Sequence, residues 1–150
     1  MEERKMKRVA DSFTTQVQIL TQANLNGYSR LFGGPLMSWM DIVAAVTARR
    51  HSGCNVTTAS VNNLVFRKPA HANDTLVLTG EIVYVGRTSM EVRVRAFVEA
   101  LSGEENLINE AQFVMVALDE NEKPTEVPGL ILETEAQRAL WDEAAARRQK

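Results

Sequence analysis

Phe32-Gly33-Gly34-Pro35-Leu36-Met37-Ser38-Trp39-Met40-Asp41-Ile42-Val43-Ala44-Ala45-Val46 opens the stretch, running on to Arg50, whose reading decides the fold. Pro35 suits the first turn of a helix, where its missing N–H costs nothing, and Gly53 suits the exit, so a helix is expected from Leu36 to Arg50. Leu36 to Val46 is apolar nearly all the way round, the pattern of a helix buried on most sides. Downstream the apolar period changes to two and stays there. Val56 to Phe66, Thr75 to Val85, Ser89 to Leu101 and Leu107 to Asp119 read as long strands rich in β-branched residues. The turn signals between and after them are His71-Ala72-Asn73-Asp74, Gly86-Arg87, Ser102-Gly103-Glu104 and Asp119-Glu120-Asn121. Such short connections demand antiparallel neighbours, because a parallel crossover needs about a dozen residues or more.

Upstream, Phe13 to Leu20 alternates, with Phe13, Val17 and Ile19 on one face and Thr14, Gln16 and Gln18 on a wet one. Asn24 to Arg30 is a loop by its turn formers. Glu133 to Gln149 reads as a charged helix whose main apolar contacts are Leu140 and Trp141. One strand, one buried helix, four antiparallel strands and a trailing helix make an α+β arrangement, with the sheet wrapped around a single long helix. One helix covers only part of such a sheet, so a partner chain is expected at the sheet edge.

The 150 residues fit one compact domain, 1–150, with 132–150 as a C-terminal helical extension. A net charge of -2 gives no basic footprint for nucleic acid. No apolar run approaches the ~20 residues that span a bilayer. Met1 to Asp11 is charged and lacks the apolar core of a leader, which points to the cytoplasm. Cys54 is the one cysteine, a small filler near a helix end, so no internal disulfide is possible. No acidic or His cluster has metal-ligand spacing, and neither a metal nor a cofactor is expected.

Asp41 is the one ionisable residue in the apolar part of the helix. Met37, Ser38, Ala44 and Ala45 fill the three- and four-residue positions around it, so no cation on its own helix faces it. Two readings fit. The first is a structural Asp, capped by backbone N–H groups or facing solvent through a gap. The second is a carboxylate held in a cleft, where lost water strengthens its action as a base or nucleophile. Ala44, Ala45 and Ala48 leave room for a close neighbour. Gly33-Gly34 adds a second element, since the free N–H groups of a helix N-terminus can hold an oxyanion.

These residues resemble a known family. Asn24-Leu25-Asn26-Gly27 and then Leu31-Phe32-Gly33-Gly34-Pro35-Leu36-Met37-Ser38-Trp39-Met40-Asp41 look like the signature of hotdog-fold acyl-CoA thioesterases of the cytosolic acyl-CoA hydrolase and YciA-like group. Arg50-His51, Thr58-Ala59-Ser60-Val61, Phe66-Arg67-Lys68-Pro69, Val85-Gly86-Arg87-Thr88-Ser89-Met90 and Phe113-Val114-Met115-Val116-Ala117-Leu118-Asp119 follow in the same order. The resemblance runs from about Thr14 to Pro128.

The resemblance implies a hotdog fold and hydrolysis of acyl-CoA to a free acid and CoA. Asp41 matches the catalytic acid, as general base or nucleophile. Asn24 matches an Asn that helps build a site shared between two subunits, and the N–H of Gly33 or Gly34 would polarise the thioester carbonyl. Arg87, Thr88 and Ser89 match a turn contacting the CoA nucleotide, and Lys68 adds a phosphate contact. The assembly implied is a dimer, with three dimers forming a hexamer. Between Gly27 and Phe32 the segment Tyr28-Ser29-Arg30-Leu31 is longer than the commoner pattern, which leaves both Asn24 and Asn26 as candidates. A non-catalytic acyl-CoA-binding regulator on the same fold is the alternative, since a fold never fixes a function. A dehydratase on this fold would want a His in the site. His51 reads instead as a carbonyl cap and His71 as a solvated turn residue. Asp74 and Asp119 read as turn-formers.

Overall fold

The computed structural model describes residues 3–28, 30–31 and 33–148. The motif residues Ser29 and Phe32, and Gln149 of the expected C-terminal helix, lie outside them. The elements in chain order are β1 (Met6–Arg8), α1 (Val9–Ser12), β2 (Thr14–Ile19), α2 (Gly33–Ser52), β3 (Asn55–Phe66), β4 (Thr75–Val85), β5 (Ser89–Glu99), β6 (Glu105–Leu118), β7 (Gly129–Ile131) and α3 (Glu135–Arg148). The long helix, the four long strands and the trailing helix are where the residue pattern put them. α2 starts earlier, so Gly33 and Gly34 form its first turn. It ends at Gly53, whose φ of 71° only glycine adopts readily and whose N–H bonds the Arg49 carbonyl at 2.8 Å.

α2 lies on one face of a five-stranded antiparallel sheet of order β2-β4-β5-β6-β3. Met40, Val43, Ala44 and Ala48 are buried there in one core with Leu78, Val92, Val94, Phe113 and Met115. Helix and sheet approach tightly at Gly80. A Cβ there would stand 2.5 Å from Thr47 Oγ1 and 2.9 Å from Val43 Cγ1, so only glycine fits. α3 packs on the β4 side of the sheet through Trp141, whose ring lies 4.3 Å from that of Tyr84. Among the described residues no helix is long and apolar enough to cross a membrane.

Three features depart from the residue pattern. β3 is not beside β4: it pairs antiparallel with β6 at the sheet edge. The residues 67–74 that join them can span ~26 Å when extended, enough to pass β6 and β5 and cover three inter-strand spacings of ~4.8 Å. The turn signal at His71–Asp74 marks only the end of that crossing. In β2 the faces are inverted. Thr14 pairs with Gly80, Gln16 with Leu78 and Gln18 with Leu76, which turns them to the α2 side. Val17 and Ile19 are left 59% and 65% exposed. Third, β1 and β7 form a small parallel pair whose three-residue strands are too short to show a period.

α2 is also not buried on most sides within one chain. Gly34, Ser38 and Ile42 are exposed, with Asp41 half-buried beside them. β3 is open along its free edge, with Val61, Leu64, Val65 and Phe66 between 37% and 55% exposed.

Candidate active site

Asp41 sits midway along α2, where the helix passes over β3. Thr58 Oγ1 donates to Asp41 Oδ1 at 2.6 Å. Thr58 stands where β3 slips register against β6, and such a bulge re-aims the side chains beside it. Among the described residues no Lys, Arg or His pairs with Asp41. The carboxylate thus has one neutral donor on Oδ1 and no described partner on its second oxygen. Thr58 stood inside a motif match, but a threonine on a strand carries no signal of its own that would single it out.

Gly33 lies eight residues before Asp41, roughly 12 Å along the axis. Its Cα side faces Phe66: an added Cβ would stand 3.6 Å from Phe66 Cζ, an ordinary contact. Packing within the chain therefore does not demand glycine there. Phe66, Lys68, Asn26, Arg30 and Leu31 line an open pocket of about 310 Å³ at this end of α2. Asn24 is absent from that lining. Its Oδ1 accepts from the Thr21 N–H at 2.9 Å and the Thr21 hydroxyl at 3.1 Å, fastening a single 3-10 turn at Gln22–Asn24. Asn26 Oδ1 accepts from the N–H groups of Tyr28 and Arg30 at 2.9 and 3.3 Å, closing the loop in which it lies.

The Arg87-Thr88-Ser89 turn is at the other end of the sheet. Ser89 pairs with Val116, which pairs with Thr57, whereas Phe66 pairs with Asn109. Val116 and Asn109 are roughly 23 Å apart by strand rise. Within one chain Lys68 and the Arg87 turn therefore do not meet.

His51 is fully buried, and its Nε2–H donates to the Pro128 carbonyl at 2.8 Å, so it caps a carbonyl of a distant segment rather than of its own helix. Burial is the main cause holding its pKa below 6.5, with Lys7 and Arg4 adding to it and the Pro128 bond and Asp11 opposing. His71 is exposed, with its N–H bonded to Asp74, and Asp119 Oδ1 accepts from Asn121 and Lys123, so both aspartates fix turns.

The thioesterase superfamily matches residues 28–102. The uncharacterized acyl-CoA thioester hydrolase YkhA of Bacillus subtilis is 39% identical over 123 residues, covering 81% of this chain and 72% of that protein. An acyl-CoA hydrolase of Staphylococcus aureus, solved with butyryl-CoA, CoA and CoA disulfide, superposes with a TM-score of 0.91 at 32% identity, covering 96% of this chain and 88% of that one. An apo-hexameric acyl-CoA thioesterase does so at 0.93 and 36% identity, covering 97% and 94%. The S. aureus hydrolase has also been solved with alanine at an asparagine, at an aspartate 15 residues later, and at a threonine 17 residues beyond that.

Proposed function

The chain belongs to the thioesterase superfamily, and from that premise we propose that it hydrolyses acyl-CoA thioesters to a free carboxylic acid and CoA, with Asp41 as general base. The observation that carries this is the half-buried Asp41 carboxylate, unpaired by any described cation and held by the Thr58 hydroxyl. Thr58 fixes Oδ1, which leaves the second oxygen to take a proton from water as that water adds to the thioester carbonyl carbon. The tetrahedral oxyanion then expels the CoA thiolate, which accepts the proton. No resident cofactor enters.

The oxyanion needs donors, and the first-turn N–H groups of Gly33 and Gly34 are suited to it by the helix dipole and the lack of a Cβ. In the same chain they lie too far from Asp41. A second copy resolves this. β3 is a long, open, apolar edge, which is a template for another strand. Antiparallel pairing of two β3 strands about Val61 sets Thr58 of one chain within a few residues of Phe66 of the other. Asp41 and Thr58 of one protomer then meet Gly33, Asn26 and Lys68 of its partner. The same pairing covers Ile42. We assign the Asn of the site to Asn26 rather than Asn24. Asn26 lies 15 residues before Asp41 and Thr58 lies 17 after it, the spacing of the three residues substituted in the S. aureus hydrolase. Such dimers would assemble in threes, as the hexameric neighbour supports.

Thiol release from a panel of short- to long-chain acyl-CoAs tests the reading. Asp41→Asn is expected to lower kcat about 10³-fold at unchanged melting temperature. Co-expressing Asp41→Asn with Asn26→Ala should restore activity through one intact site per mixed dimer. Near-normal turnover by folded Asp41→Asn overturns the assignment and favours an acyl-CoA-binding regulator.

A further inference from the structure

The turn between β4 and β5 is held from three sides by segments distant in sequence. Arg4 donates from Nη2 to the Gly86 carbonyl at 2.6 Å and from Nε to the Val127 carbonyl at 2.8 Å. The Val127 N–H bonds the Arg87 carbonyl at 2.9 Å, the Ala117 N–H bonds Thr88 at 3.0 Å, and the Gly86 N–H bonds Ser89 at 2.9 Å. Every carbonyl from Gly86 to Ser89 is thus engaged. The N–H groups of Arg87 and Thr88 have no acceptor among the described residues. A turn with its acceptors used and its donors free is electropositive, a concavity suited to an anion.

Arg148, in the last turn of α3, closes the third side. Its guanidinium lies 4.6 Å over the Tyr84 ring, and Tyr84 stacks on Trp141 of the same helix. From that perch Nη2 donates to Ser89 Oγ at 3.0 Å. A Cβ on Gly86 would fall 2.8 Å from Ser89 Oγ and 3.1 Å from Arg148 Nη1, so the fork fills the space that glycine leaves. The neighbouring Arg147 has its charge matched by the buried Glu91, with Nη2 donating at 3.0 Å. Arg148 has no carboxylate within pairing distance among the described residues, and it is exposed. A stacked guanidinium with one bond used keeps the rest of its five donors for a phosphate.

We propose that Arg148 completes a phosphate-binding site on the Gly86–Ser89 turn, and that the C-terminal helix is thereby part of the surface that holds the phosphates of the CoA nucleotide. The proposal rests on acyl-CoA being the substrate. A merely structural Arg148 would affect every substrate alike through the turn, whereas a phosphate contact affects only substrates that carry the nucleotide.

The test compares wild type, Arg148→Ala and Arg148→Lys on an acyl-CoA and on the same acyl group joined to pantetheine, which has no nucleotide. For Arg148→Ala the KM for acyl-CoA should rise about tenfold, the scale of one charge-assisted hydrogen bond, with kcat little changed. KM for acyl-pantetheine should stay as in wild type. Arg148→Lys, which keeps the charge but not the fork, should fall between. An unchanged KM for acyl-CoA, or equal rises for both substrates, overturns the proposal. Calorimetric titration with free CoA and with pantetheine separates the two readings. If wild type binds CoA but hydrolyses no thioester, the hydrolase reading fails, while weaker CoA binding by Arg148→Ala still supports the clamp and equal binding still sinks it.

Discussion

The two sides of α2 were made under different constraints. On the packed side Val43 and Thr47 press against Gly80 so closely that no Cβ fits. On the open side Asp41 and Ile42 face outward over a strand with a free edge, and the main tie is one hydroxyl-to-carboxylate bond. A single helix thus presents one surface that closes a core and one that a single chain leaves unfinished. Substitutions on the packed side should change stability and leave chemistry alone. On the open side the reverse should hold.

The largest effect on stability is expected at Gly80. Gly80→Val puts three carbons where the distances leave no room for one, and overpacking of this kind costs about 3 kcal/mol. In a chain of this length that lowers Tm by roughly 8 °C, and kcat per folded molecule should stay as in wild type. A valine accepted with no loss of Tm, read by calorimetry, would mean the packed side is not packed. The open side should answer in turnover. Thr58→Val removes the donor on Asp41 Oδ1 and keeps the shape, so kcat should fall roughly 10- to 100-fold, with Tm within about 2 °C. If Thr58→Val instead unfolds the protein at full specific activity, the two sides have exchanged roles.

Much of the packed side could be read before any coordinates. Gly53 marks the end of α2 and Pro35 lies in its first turn, and the period of two marks β4 to β6 to within two residues, because burial of one face imposes that period. The open side was legible at one position. Asp41 stood out as a charge in an apolar run, whereas Thr58 did not, since its use depends on a bulge that no residue type announces. β2 was misread for a related reason. Thr14, Gln16 and Gln18 read as its wet face, but pairing with Gly80, Leu78 and Leu76 turns them inward. Strand order was hidden too, because the segment 67–74 carries turn formers at its end while most of it is a crossing. Asn24 and Asn26 carry the same residue type in one loop, so the sequence alone could not rank them; Asn26 lines the pocket beside Phe66 and Asn24 does not.

The packed side has an ionisable group of its own, and it gives the smallest effect. His51 is fully buried with Nδ1 unpartnered, and desolvation holds its pKa below 6.5. The unfolded chain therefore takes up a proton at His51 more readily than the folded one. Above pH 6.5 both states are neutral and this residue adds no slope. As pH falls from 6.5 toward the lowered folded value, the unfolded state gains the proton first and stability drops, by at most about 1.4 kcal/mol per pH unit for one group. His51→Gln can keep a donor toward the Pro128 carbonyl and cannot titrate. Denaturant midpoints measured across this range should fall less steeply with acid for His51→Gln than for wild type. Parallel curves for wild type and His51→Gln would show that the ring is protonated equally in both states, and so is not shut away from water.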